Sequence, residues 1–536
     1  MNKKLLKIVS VAMLTTVIVS SLAGCGSSKE SADSTSDSSV AVDAPYKKQV
    51  EIKIPIYDRG IQGQAPVDNN YWTKYINDTF GKKYNVKVTY VTIPRTTDVD
   101  KFNMLLASGD APDIIFSYDY TTASSFYTRG AFQEVTKSEL DKYAPNLEKT
   151  LGADVLKYGV FDGKQMLIPA KRPLVGGISN VIRQDWLDKL GLKVPTNRDE
   201  YYAVLKAFKE KDPGKVGANN VIPQGLSSMS AAGSANMNYA FRPANVSAEE
   251  FAMYSDVVIP SLSWKPTEDT LKWDNKLFNE GLISPEFVLD KDGTKLQADI
   301  SNGKVGVFLM PLKTPPVLQT LVKNVPTAKF TVLPASALLP KGQAPQAFAY
   351  APYGMLSGIN KKCKHPDAVL KYMDWMSKSE NLFVLQNGVA GKNYNLKGGL
   401  PVEVANYAGE DKLNFSSNKD MWGLVTEQKE FGSVDENLKM DATAKGAPGF
   451  EKLYIDGYKE TLIGAKPNFM FNKPVTSLTK NSKTLGSKWE EASAKIVMGK
   501  VSEFDALYAK YSKDYLTSGY QEVINERKSI YEGMKK

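Results

Sequence analysis

Two short runs carry side chains suited to gripping a polar, ring-containing molecule. Tyr57, Asp58 and Arg59 follow an apolar stretch ending at Ile56, and Ser117, Tyr118 and Asp119 follow another, DIIF, ending at Phe116. Aromatic faces cover apolar ring surfaces, short polar groups pair hydroxyls, and a guanidinium holds a carboxylate through two parallel hydrogen bonds. Trp264 in SLSWKP and Trp422 in KDMWGL lie outside any helical stripe and are candidate stacking platforms. Trp186, Trp273, Trp375 and Trp489 sit at helical positions and are expected in cores. Bond-breaking chemistry has fewer candidates. His365 is the single histidine, and it stands immediately before Pro366, where a helix start is the better reading. Cys363 and Cys25 are the 2 cysteines, which excludes Cys- or His-rich metal sites and any intrachain disulfide that leaves Cys25 out. A pair of carboxylates about 5 to 10 Å apart would still suffice for glycoside hydrolysis, and no spacing in the chain rules that out.

The elements that position these runs are legible from periodicity. Val50 to Ile56 alternates apolar and polar residues as a strand does, and Val86, Val88 and Tyr90 repeat the pattern. Between them Trp72, Ile76 and Phe80 share one face of a helix that Gly81 can end, which makes a βαβ unit. A second helix with Phe102, Leu105 and Leu106 inward precedes Gly109 and Pro112, after which DIIF (113–116) supplies the next strand, expected in a parallel sheet. The binding runs 57–59 and 117–119 then fall beyond the carboxyl ends of strands, where open α/β sheets hold ligands. Further on, one helix is stopped by Gly191 and a second is begun by Thr196, with Asp199 three residues later and Tyr201, Val204, Leu205 and Phe208 as its buried stripe. Val369, Tyr372, Met373 and Met376 mark another helix after Pro366, and the tail from Leu485 to Met534 reads as largely helical.

A chain of 536 residues exceeds what one hydrophobic core covers, so at least two lobes are expected. The net charge of +9 is spread among Asp and Glu without a basic stripe, and nucleic acid is not an expected partner. The 27 tyrosines suit a surface that stacks on rings as well as large ordinary cores.

Lys3, Lys4 and Lys7, the apolar stretch from Ile8 to Val19 and the small residues Ala23 and Gly24 form an export signal too short to span a bilayer. The segment LAGC, Leu22 to Cys25, resembles the bacterial lipobox, which implies cleavage before Cys25 and acylation of its thiol. Two or more acyl chains hold a protein stably on a membrane, at about 0.8 kcal/mol per buried methylene. Residues from Gly26 to Ala44 are mostly Ser, Asp and Ala and read as a flexible tether.

Behind this leader come LLASGDAPDIIF, FDGKQMLIP, IRQDWLDKLGLKVPT, LKWDNKLFNEGLISPEF, SNGKVGVF and KIVMGKVSEFDALY, in that order. Together they resemble the extracellular solute-binding proteins of carbohydrate ABC importers. The resemblance implies a type II periplasmic-binding-protein fold, two α/β lobes joined by a hinge around a central ligand cleft. It implies a signal peptide over 1–24, a tether over 25–46, a first lobe from 47–172 and 351–465, and a second lobe from 173–350 and 466–536. The chain would cross between lobes near 169–173, 350–354 and 465–469, which puts Arg172 and Tyr353 at the first two crossings as further ligand contacts.

The function so implied is a monomeric, lipid-anchored receptor on the extracytoplasmic face of the cell membrane. It captures an oligosaccharide or related small solute and hands it to ABC permease subunits, with no cofactor and no catalysis; a uronate-containing sugar is compatible with Arg59 and Arg172. Relatives that bind acidic oligosaccharides carry a calcium loop after the capped helix. Here that stretch is DPGKVGANNVIP (212–223), with Gly214, Val216 and Val221 where oxygen ligands belong, so no calcium or a weak site near Asp212 is expected. Two other readings stay open: a surface-anchored glycoside hydrolase or polysaccharide lyase, and a module that only senses or adheres.

Overall fold

The computed structural model describes residues 44–535, except 177, 228–240, 257–258, 285, 312–316, 348, 405, 414–417 and 445–448. Cys25, the leader and nearly all of the tether lie outside the described residues. From Pro45 onward the chain forms one compact unit.

The alternation in VEIKIPIYD turns Ile52, Ile54 and Ile56 to one buried face of strand Val50–Asp58. That strand pairs in parallel with Val86–Pro94, with Val50 opposite Val86 and Asp58 opposite Pro94. The connecting helix opens on Asn70, whose carboxamide oxygen accepts the Trp72 and Thr73 amides while Thr73 Oγ1 accepts the Asn70 amide. Gly81 does not end this helix. Tyr71–Ile76 runs on through a π turn, Asn77–Gly81, and stops after Tyr84 at Asn85, where φ is 56°. The glycine serves a different purpose, because a Cβ there would stand 2.7 Å from the Val86 carbonyl oxygen at the start of the next strand.

DIIF forms strand Ile114–Ser117 beside the first strand, with the Asp113 amide donating to the Lys53 carbonyl at 2.8 Å. Its hydrogen-bonded partner is strand Tyr353–Ile359, which runs antiparallel to it and also antiparallel to Ile168–Lys171. The expectation of a parallel sheet is thus corrected for this strand: its partner comes from far along the chain, with Ser357 opposite Phe116, where local periodicity carries no directional signal. Trp72, Phe80, Phe102, Leu147, Met355 and Tyr372 fill the core on and around these strands.

A second sheet has the order Phe330–Leu333, Ile178–Arg183, Val305–Pro311, Ile222–Gln224. Successive side chains of a strand point to opposite faces. Accordingly Ile182 packs with Trp186, Leu205, Val307 and Trp489, whereas its neighbour Val181 packs with Phe308, Leu318 and Tyr454. Burial on both faces explains the near-continuous apolar run in SNGKVGVF. Helix Arg198–Lys211 buries Tyr201, Val204, Leu205 and Phe208 as its period requires. Its cap is Asn197, which accepts the Asp199 and Glu200 amides, while Thr196 instead gives its amide and hydroxyl hydrogens to Glu200. His365 stands at the start of helix Pro366–Ser377, and the helices Thr476–Met498, Phe504–Tyr515 and Gln521–Met534 make up most of the tail.

Three strands of chain run side by side where the cores meet. The Arg172 amide donates to Pro352 and the Tyr350 amide to Val175. Lys171 and Glu427 then tie a third strand to the first, through Lys171 N–H to Val425 and Glu427 N–H to the Lys171 carbonyl, with Gln428 bonded to Leu174. Leu438, Ala442, Tyr454, Ile455 and Tyr458 belong to the core around Val181 and Phe308. The 463–466 stretch also runs beside 347–349, with the Ala347 amide donating to the Ile463 carbonyl and the Lys466 amide to the Ala347 carbonyl. Elsewhere the two bodies touch through helix Tyr120–Thr128, which lies against Thr476–Met498, with Tyr120 O–H donating to the Phe471 carbonyl at 3.3 Å.

Candidate functional site

Aromatic and charged groups gather at the carboxyl ends of three strands of the first body, Val50–Asp58, Val86–Pro94 and Ile114–Ser117, and at the crossing. Arg59 lies past the end of its strand, in a turn that Gly60 completes at φ 64°. Its two terminal nitrogens donate to the two oxygens of Asp420 at 2.6 and 3.0 Å, and Tyr118 O–H donates to the same carboxylate at 3.0 Å. The Asp420 side chain has no solvent exposure and that of Arg59 13 %. Burial alone would lower the Arg59 pKa, but the bonds to Asp420 and its charge reverse the direction. Burial, followed by the Asp420 and Glu427 charges, pushes the Tyr118 phenol well above its usual range.

Tyr57 is fully buried, so it offers no open face. Its hydroxyl donates to Asp98 at 2.7 Å, its ring stacks on Tyr118 with centroids 6.1 Å apart, and the Arg95 guanidinium lies 4.7 Å from its centre. Burial and the Asp98 acceptor raise its pKa far above the ordinary phenol value. Asp58 is exposed and accepts the Gly60 amide. Ser117 is buried and its Oγ accepts the Asp119 amide; Asp119 in turn caps helix Tyr120–Thr128 through the Thr122 amide at 2.7 Å. Those two residues fix the loop, and Tyr118 between them is the one presented toward Asp420.

At the crossing, Arg172 Nε donates to the Tyr353 carbonyl at 3.0 Å and its guanidinium lies 4.7 Å from the Tyr350 ring centre. Tyr353 is half-buried between Tyr158 and Tyr120, at centroid distances of 4.8 and 6.4 Å. Burial raises the Tyr120 pKa to about 12. Tyr57, Arg59 and Tyr118 thus come together around Asp420, while Arg172 and Tyr353 pair at the crossing and reach the second run through Tyr120; Asp58 stays outside both groups. The two isolated tryptophans join neither group. Trp264 is buried beside the helix Lys265–Asn279, with Nε1 donating to Glu250 at 2.7 Å. Trp422 is buried in the first core beneath the Lys419 ammonium, 4.1 Å from its ring centre. Both rings are almost wholly buried, Trp264 at 3% and Trp422 at 5% exposure.

Asp420, Asp98 and Glu427 were absent from the sequence reading, although Asp420 is two residues from Trp422 and is the group on which Arg59 and Tyr118 converge. No pattern marked it, since its partners are 302 and 361 residues away along the chain. The Asp212 loop does not fit calcium. Asp212, at φ 40°, closes its helix, and its two carboxylate oxygens accept the Val216 and Gly217 amides at 3.0 and 2.8 Å.

The family model for bacterial extracellular solute-binding proteins matches residues 65–382. The chain belongs to that family. Among curated relatives of this solute-binding protein, lipoprotein LipO of Bacillus subtilis is 28% identical over 411 residues, covering 75% of each chain. A polygalacturonan/rhamnogalacturonan-binding protein of the same bacterium, YtcQ, is 30% identical over 235 residues, 42% of this chain and 45% of that one. The fructooligosaccharide ABC transporter substrate-binding protein FusA of Streptococcus pneumoniae is 28% identical over 243 residues, 43% of each. Among solved structures, the calcium-free alginate-binding protein AlgQ2 aligns with a TM-score of 0.61 at 20% identity over 91% of this chain and 99% of that one. An extracellular solute-binding protein from Bifidobacterium longum subsp. infantis aligns with a TM-score of 0.64 at 19% identity over 90% and 98%. The fold of this solute-binding protein is therefore the α/β periplasmic-binding-protein fold. The family binds and does not catalyse, so the hydrolase and lyase readings fall away.

Proposed function

We propose that this solute-binding protein is the lipid-anchored receptor of an ABC importer and captures an oligosaccharide between its two lobes. The observation that carries the reading is the junction of three crossing strands beneath a cluster of tyrosines and paired charges. Solute held there touches both lobes only when they close, so binding and closure are one equilibrium. Closure is the state a permease would read. The similarity to YtcQ, FusA and AlgQ2, which bind polygalacturonan/rhamnogalacturonan, fructooligosaccharide and alginate, supports an oligosaccharide as the solute. The lobes consist of residues 47–172 with 351 to about 430, and 173–350 with the remainder, a division that follows the two bodies of packing.

The test is tryptophan fluorescence and thermal shift against a panel of neutral and uronate oligosaccharides, with the same mixtures assayed for cleavage. Saturable binding with a raised melting temperature and intact sugar is expected; absence of binding across the panel contradicts the proposal. For the anchor, Cys25→Ser is expected to move the protein from the membrane fraction to the medium, and retention in the membrane contradicts it.

A further inference from the structure

One carboxylate at the crossing, on the partly buried side chain of Glu427, has an oxygen without a hydrogen-bond partner among the described residues. Glu427 holds that oxygen, Oε2, shielded from solvent. Its backbone is held on both sides: its amide donates to the Lys171 carbonyl at 2.7 Å, and its carbonyl accepts the Lys419 ammonium at 2.6 Å. The neighbouring strand makes room for the side chain with a glycine, since a Cβ on Gly354 would stand 2.5 Å from Glu427 Cβ and Oε2. A buried acceptor left unpaired costs free energy that a bound donor returns.

The cations that could neutralise this carboxylate are engaged elsewhere. Arg59 is bound twice to Asp420, Arg95 to Asp98 at 3.0 Å, and Lys171 to Glu430 at 3.5 Å. Lys419 reaches the Glu427 carbonyl, and Arg172 the Tyr353 carbonyl with its plane against Tyr350. A uronate would need one of these released and would then sit near the Glu427 charge, where like charges in a low-dielectric cleft repel. A hydroxyl needs neither.

We infer that Glu427 is the specificity-determining acceptor of the cleft and that the ligand is an uncharged, hydroxyl-rich oligosaccharide. The inference rests on the receptor reading above and narrows its ligand. Tyr118, beside the same carboxylates, and the Tyr120–Tyr158–Tyr353 cluster supply the aromatic surface that a neutral sugar ring covers.

The experiment is calorimetric titration of the full-length protein in detergent micelles, wild type and Glu427→Gln, with neutral and uronate oligosaccharides of equal length. A charged acceptor exchanged for a neutral one of the same shape should weaken the neutral sugar by about tenfold. The uronate should bind the wild type more weakly than the neutral sugar, and Glu427→Gln should bring the two closer. An unchanged melting temperature for the variant without ligand confirms that the loss is local, and Glu427→Asp, which keeps the charge but shortens its reach, should fall between the two. Uronate binding as tight as neutral binding, unaffected by Glu427→Gln, overturns this inference and leaves the receptor reading standing. Failure of every sugar to bind the wild type overturns both.

Discussion

Asp420 gives up all contact with water to accept two bonds from Arg59 and one from Tyr118. A buried ion pair contributes little beyond what well-packed apolar residues would, because desolvation offsets the Coulomb gain. Removing one partner is a different matter, since the other charge stays buried. Asp420→Ala is therefore expected to lower the unfolding free energy by about 3 to 5 kcal/mol. Replacing the pair together, Arg59→Met with Asp420→Leu, should recover most of that loss. Urea unfolding of the wild type and the two variants checks both; an Asp420→Ala protein as stable as wild type contradicts the pairing. At this scale the sequence was half legible. Arg59 and Tyr118 could be placed because each follows a recognisable strand, but a partner 361 residues distant from Arg59 leaves no local trace. The burial of Trp264 and Trp422 was not legible for the related reason that a ring outside a helical stripe can still be drawn inward by tertiary packing.

Helix Thr476–Met498 starts without a side-chain cap of its own. Glu526, from the last helix, supplies one, accepting the amides and hydroxyls of Thr476 and Ser477. Burial alone would raise its pKa, but those four donors hold it below the usual glutamate value. The sign follows from that direction. The stabilisation is complete above the ordinary glutamate pKa and is lost as pH falls through the lower folded value. The melting-temperature gap between wild type and Glu526→Gln should accordingly be larger at pH 7 than at pH 3. A gap independent of pH contradicts the assignment. Elements of this kind were the most legible part of the chain where their signals were local, as in the stripe Tyr201, Val204, Leu205 and Phe208. They were least legible where two signals competed, as with Thr196 and Asn197, or where a glycine that reads as a stop is needed for close approach, as at Gly81.

The order of blocks along the chain was enough to anticipate an α/β solute-binding fold. The place of helix Glu451–Glu460 was not legible, because its apolar face fits either body by composition and only its position in the core with Val181 and Phe308 assigns it. At the scale of the whole molecule, the described residues join the two bodies of packing through the strands at the crossing and through Tyr120 with Phe471. Such an arrangement favours opening and closing about the crossing as the functional motion. Small-angle scattering of the protein with and without a saturating oligosaccharide tests this most directly. A smaller radius of gyration in the presence of intact sugar is the expected result. Saturable binding with no change in the radius, or a change accompanied by sugar cleavage, would contradict a receptor that signals by closing.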